Sequence, residues 1–109
     1  MKIIEICSDK VLESYAKRLK VCGHPIRLKI LCVIKNGTAC VKELWECLDQ
    51  PQPVVSQHLA VLKSSGIVDS QVSGNKRIYT IIDPFVNEMI SLMRTYSPEK
   101  HKNSIYMEE

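Results

Sequence analysis

At Gly66 the spacing of apolar residues changes from the helical period of about 3.6 to the strand period of about 2. Before it, Val55, Leu59 and Leu62 share one face of a segment that Pro53 opens and that runs to about Ser65. After it, Ile67 to Val72 and Arg77 to Ile82 flank Ser73-Gly74-Asn75-Lys76. That pattern predicts two strands and a glycine-bearing turn, a β-hairpin. Upstream, Val41 to Leu48 reads as a shorter helix with Val41, Leu44 and Leu48 on one side, and only Asp49-Gln50-Pro51-Gln52 intervenes. Two short helices across so brief a break outline a helix-turn-helix.

The remaining elements follow from the same periodicity. From Ser8 to Cys22, Val11, Leu12, Tyr15, Ala16, Leu19 and Cys22 form an amphipathic stripe. Gly23 stops that helix and Pro25 suits the first turn of the next. Pro25 to Lys35 is apolar nearly all round, so it is the expected central helix. Asp83-Pro84 opens a last helix with Phe85, Val86, Met89, Ile90 and Met93 along one side. The expected fold is mainly α with a β-hairpin, in the order α-α-α-α-β-β-α: a winged helix-turn-helix. Residues 1–96 form the domain, and 97–109 read as a polar C-terminal tail.

At 109 residues, 45% hydrophobic and 25% charged, the chain suits one small globular domain. Its core is aromatic-poor, and burial against a second copy would help it. No apolar run approaches the roughly 20 residues of a membrane span, and the first residues do not resemble a signal peptide. A cytoplasmic protein without membrane contact is expected. Its five cysteines, an odd number, then stay reduced and serve packing or chemistry rather than a disulfide framework.

In a winged helix the second helix of the pair enters the major groove and the hairpin lies along the adjacent backbone. The outward face of the fourth helix carries Gln52, Ser56 and Gln57, with Lys63 near its end. Gln bonds adenine in bidentate fashion, and Ser contacts bases or phosphates. Lys76 and Arg77 at the hairpin tip suit phosphates, and His58 either packs or touches DNA. The bland alternative is a solvated polar face. A formal net charge of +3 permits a polyanionic partner without requiring one.

Several segments together resemble one family. Cys22-Gly23-His24-Pro25-Ile26-Arg27-Leu28-Lys29-Ile30-Leu31, Cys40-Val41-Lys42-Glu43-Leu44, Gln52 to Leu62, Ser65-Gly66-Ile67-Val68 and Gly74 to Thr80 are similar, in order, to motifs of the arsenic-repressor (ArsR/SmtB) family. The resemblance spans about Leu19 to Met93. It implies a homodimeric repressor that binds double-stranded DNA at an imperfect palindrome and is released by an inducer. The first and last helices would form the interface, here through Leu12, Leu19, Phe85, Met89, Ile90 and Met93.

The resemblance also implies candidate sensing sites. The family's zinc-type site is not matched, because Phe85 stands where its first His would be; Asp83 before Pro84 reads as an N-cap. The soft-ion site begins with a Cys-Val-Cys motif, of which Cys40 is present and Lys42 replaces the second Cys. Cys7, in the N-terminal arm, can supply a thiolate from the other subunit. Such thiolates favour cadmium or trivalent arsenic. A third subgroup reads persulfides or oxidants through a cysteine that Cys32 matches, but its second cysteine is missing.

Taken singly, Cys22 lies on an apolar stripe and reads as packing, while Cys32 is open between packing and sensing. Cys47 reads as packing or bystander; seven helical residues put it about 10.5 Å from Cys40, too far to share an ion held at about 2.3 Å. Cys40 stands at a helix N-terminus, where a thiol pKa falls. His24 reads as a surface residue at a helix start. An enzyme is the rival class, but no Cys-x-x-Cys, phosphate-cradling loop or acid–base pair supports it. A winged helix serving protein contacts alone is the other rival, and salt-dependent DNA binding separates both from the leading reading.

Overall fold

The computed structural model describes residues 8–37 and 41–96, without the side chains of residues 41–43. Among the described residues, five helices and one hairpin follow in order: α1 (Asp9–Cys22), α2 (Pro25–Lys35), α3 (Val41–Leu48), α4 (Gln52–Ser64), β1 (Val68–Ser73), β2 (Lys76–Ile81) and α5 (Pro84–Thr95). The winged helix-turn-helix order is the expected one. No described helix is long and apolar enough to cross a membrane.

Local chemistry sets the helix starts. Ser8 Oγ accepts from the Val11 backbone N–H, His24 Nδ1 from Ile26 and Asp83 Oδ1 from Val86. Each satisfies a donor that a helix N-terminus leaves unpaired. Proline occupies the first turn of α2, α4 and α5, where its missing N–H costs nothing. The helix α4 starts one residue before the expected Pro53, because Pro51 supplies the extended N-cap conformation.

The hairpin is antiparallel, with Val68 opposite Ile81 and Ser73 opposite Lys76. Pairing therefore reaches one residue further toward the turn than the sequence pattern suggests. Gly74 and Asn75 alone make the loop, and Gly74 sits at φ +66°. Two-residue hairpin loops need such left-handed backbone, which glycine adopts without a Cβ penalty.

The buried centre is α2, which contributes Ile30, Leu31 and Ile34. Around it pack Leu44 and Leu48 of α3, Val55, Leu59 and Leu62 of α4, and Ile67 and Val68 entering the hairpin. Val86 and Ile90 of α5 are also fully buried in this core. That corrects one expectation: Ile90 lies inside its own chain, so it has no surface to offer a second subunit. The reason is that α5 packs against α2 and β2, and the inner part of its stripe is used there.

Candidate nucleic-acid interface and sensing cysteines

The candidate recognition element is α4. Its buried residues Val55, Leu59 and Leu62 recur at helical spacing, so the opposite side is left to solvent. Ser56 and Gln57 are exposed there, and Gln52 is exposed in the first turn, on the line of Val55, Leu59 and Leu62. Ser56 and Gln57 thus lie toward the outward side, and Gln52 stands at the N-terminal end of the helix.

At the far end of α4 the wing is fastened to the helix. Lys63 Nζ donates to Ser70 Oγ at 2.9 Å, and Arg77 donates to the same oxygen at 3.1 Å. Lys63, Ser70 and Arg77 thus form one small polar joint between α4 and both strands, with Lys76 exposed beside it. The sequence offered no sign of Ser70, because the joint depends on how far the hairpin leans toward α4.

His58 departs from its expected place among the DNA contacts. It is half-buried and turned toward the start of α2. Its Nδ1 accepts from Arg27 Nε at 3.1 Å, and its ring lies 4.4 Å from that of His24, tilted by 47°. The physical reason is position: His58 adjoins the buried Leu59 rather than the outer face. Burial first, then the charges of His24 and Arg27, hold its imidazole below the ordinary histidine pKa. His24 is likewise no simple surface residue, since it caps α2 and meets His58.

A second exposed feature lies on α1 and α5. Leu12 and Leu19 are 48% and 47% exposed, and Leu92 and Met93 are 58% and 39% exposed. The two helices meet where Tyr15 and Phe85 approach within 4.8 Å. Arg18 lies over both rings, at 4.7 and 5.2 Å, and donates to both Asp83 oxygens at 3.3 Å. Phe85 and Met89 pack partly on the core. Leu12, Leu19 and Met93 continue the same two stripes into solvent. Leu92 belongs with them, though the sequence pattern did not single it out.

Cys7 and Cys40 lie outside the described residues. Of the other cysteines, Cys22 is buried, Cys32 half-buried and Cys47 exposed, all as free thiols. Cys22 packs in the core as expected, and burial raises its pKa, with Asp83 adding to the rise and Arg27 opposing it. Cys47 is no packing residue. It lines a groove of about 370 Å³ between α2 and α3 together with Leu28, Lys29, Cys32, Val33 and Leu48. Burial raises the Cys32 thiol as well, partly offset by Arg94. Among the described residues, no three His, Cys, Asp or Glu side chains come together as a metal site.

A helix-turn-helix with an exposed polar recognition face, braced by a basic hairpin, defines a winged-helix regulator. Residues 24–70 match the model of the arsR family of bacterial regulatory proteins. The chain is 40% identical over 82 residues to an uncharacterised HTH-type transcriptional regulator of Methanocaldococcus jannaschii, covering 74% of this chain and 92% of that one. It is 31% identical over 80 residues to the arsenical resistance operon repressor of Staphylococcus xylosus, covering 71% and 77%. Among solved structures, reduced HlyU from Vibrio cholerae superposes with a TM-score of 0.77 at 31% identity, covering 81% of this chain and 93% of that one. The chain belongs to the arsR family of transcriptional regulators.

Proposed function

We propose that the chain is a cytoplasmic, homodimeric DNA-binding repressor, released from an imperfect palindromic operator by a soft metal or metalloid ion. The observation that carries the DNA-binding part is the exposure of Gln52, Ser56 and Gln57 on α4, with the Lys63–Ser70–Arg77 joint at the far end of the same helix. Gln57 and its neighbours read base edges, while Lys63, Lys76 and Arg77 neutralise phosphates. The dimer rests on the apolar stripes of α1 and α5, which meet at Tyr15 and Phe85 and run on uncovered through Leu12, Leu19 and Met93. Two copies joined there present two recognition helices, and a palindromic site follows.

For the inducer, Cys40 and Cys7 of the partner subunit are the candidate thiolates, and cadmium or trivalent arsenic the candidate ions. The name of the Staphylococcus xylosus relative supports that class of inducer. An ion preferring one dimer state supplies the coupling that release requires. A second reading, reactive sulfur or oxidant chemistry at Cys32, is favoured by one observation: Cys32 and Cys47 line the same groove. Against it, the raised Cys32 pKa keeps the less nucleophilic thiol form.

One experiment tests the whole reading. The protein selects duplexes from a random pool, and its affinity for the winner is measured with variants and inducers. Gln57→Ala costs about 1–3 kcal/mol at one base pair and relaxes sequence choice there. Arg77→Ala weakens all duplexes alike and lowers the salt slope by about one unit per subunit. Arsenite or cadmium releases the wild type but not Cys40→Ser; release by persulfide or peroxide that Cys32→Ser abolishes selects the second reading. Failure to enrich any duplex, or a monomer at micromolar concentration, defeats the proposal.

A further inference from the structure

The contact between α4 and α2 is polar at one point only among the described hydrogen bonds, and that point is Arg27 with His58. Arg27 holds two partners at once. Its Nε donates to His58 Nδ1 at 3.1 Å, and its NH1 donates to the Val21 carbonyl in the last turn of α1 at 3.0 Å. One guanidinium thus joins α1, α2 and α4. His58 directly follows Ser56 and Gln57 in the chain, so its attachment fixes the height and rotation of the turn that presents them.

We propose that Arg27 and His58 are a positioning pair that seats the recognition helix, and that sequence-specific DNA binding weakens in mild acid because protonated His58 cannot accept from Arg27. The proposal rests on the DNA-binding reading above and adds a control to it. A ring nitrogen that accepts a hydrogen bond carries no proton, so His58 is the neutral Nε2–H tautomer in this arrangement. A proton on Nδ1 turns the acceptor into a donor facing a second donor. Arg27 cannot yield, since a guanidinium stays protonated in proteins. The contact then breaks, while Arg27 keeps its hold on Val21, so α4 is the element that loosens.

The surrounding charges all press the same way. From α2 and its cap, Arg27 and His24 face His58, and both disfavour its cation. The α1 neighbour is the Val21 carbonyl, already taken by Arg27. Neither α2 nor α4 contains an acidic residue. Glu46 of α3 and Asp69 of β1 are exposed and are not among the charges acting on His58. Among the described residues, no carboxylate acts on His58 to stabilise the imidazolium. His24 is itself held in place, because its Nδ1 accepts from the Ile26 N–H at 3.1 Å and caps α2.

The sign is diagnostic. Protonating a histidine beside DNA ordinarily adds a cation near phosphates and tightens binding. Here acid is expected to loosen the selected duplex while leaving binding to a scrambled duplex level or tighter.

The test uses the full chain, its selected duplex and a scrambled one at fixed salt, from about pH 7.5 to about pH 4.5, a range carried below the ordinary imidazole value because the His58 pKa is lowered. Loss of one bond to a charged group predicts roughly a tenfold drop for the selected duplex alone. Far-ultraviolet circular dichroism and sizing at both pH values verify a folded protein of constant size. His58→Ala binds the selected duplex weakly at both pH values. His58→Asn, whose Oδ1 takes the place of Nδ1 and does not titrate, restores binding and flattens the profile. Nitrogen-15 spectra of the free protein should show His58 as the Nε2–H tautomer. Wild-type affinity that holds or rises in acid, a His58→Asn profile matching the wild type, or the opposite tautomer overturns the pair's role. Failure to select any duplex is a different result, and it falls on the DNA-binding reading itself.

Discussion

Helices α1 and α2 are neighbours in sequence and opposites in what they do with apolar residues. Helix α2 buries Ile30, Leu31 and Ile34 almost completely, whereas α1 buries only Cys22 and leaves Leu12 and Leu19 near half exposed. The first is a finished core element. The second is attached to the rest by its last turn, by Tyr15 on Phe85 and by Arg18 on Asp83. The fold is thus stabilised at its centre and left open at α1, and an apolar stripe that is left open calls for a partner.

The comparison breaks most readily at α2. Ile30→Ala removes a fully buried side chain and is expected to cost about 2–5 kcal/mol, from lost burial and the cavity left behind. Urea unfolding followed by circular dichroism measures it. A cost below about 1 kcal/mol would mean that α2 is not the centre of the core.

Leu19→Glu sharpens the contrast from the other side. Leu19 is about half exposed within its own chain, so a charge there should change the fold of a single subunit little, within about 0.5 kcal/mol. Across a dimer interface the same charge is buried without a partner, which costs several-fold more and should shift the protein to monomer. Sedimentation equilibrium distinguishes the two. A variant that stays dimeric would show that α1 does not lie in the interface.

How much of this was legible in the sequence differs between the same two regions. The order of elements and the role of α2 followed from periodicity, because α2 is apolar nearly all round and belongs at the centre of the core. The fate of the α5 stripe did not. Phe85, Met89, Ile90 and Met93 share one pattern, yet Ile90 is fully buried and Met93 lies partly in solvent. Which turn of a helix is covered depends on the crossing with α2, which no local spacing records. The exposure of Ser56 and Gln57, proposed here to face DNA, was readable as the complement of a buried stripe. The pairing of His58 with Arg27 and His24 was not, since it joins residues far apart in the chain through the packing of α4 on α2. Cys7 and Cys40 lie outside the described residues, so their role rests on the family resemblance.

The smallest effect is expected at the joint between α1 and α5. Asp83 caps α5 through Val86 and also receives Arg18, whose side chain is 25% exposed against 11% for Asp83. Asp83→Asn keeps a good cap, since Asn and Asp rank alike at that position, and removes only the charge. The loss should be about 1 kcal/mol or less, because Arg18 stays partly solvated and keeps its place over the Tyr15 and Phe85 rings. It should also shrink as salt is raised, as an ion pair's contribution does. Hydrogen exchange locates the effect: amides of α1 should open more readily in the variant while those of α2 stay protected. Equal loosening of both helices would erase the distinction between them, and α1 would then have to be counted as part of the core rather than as a surface awaiting its partner.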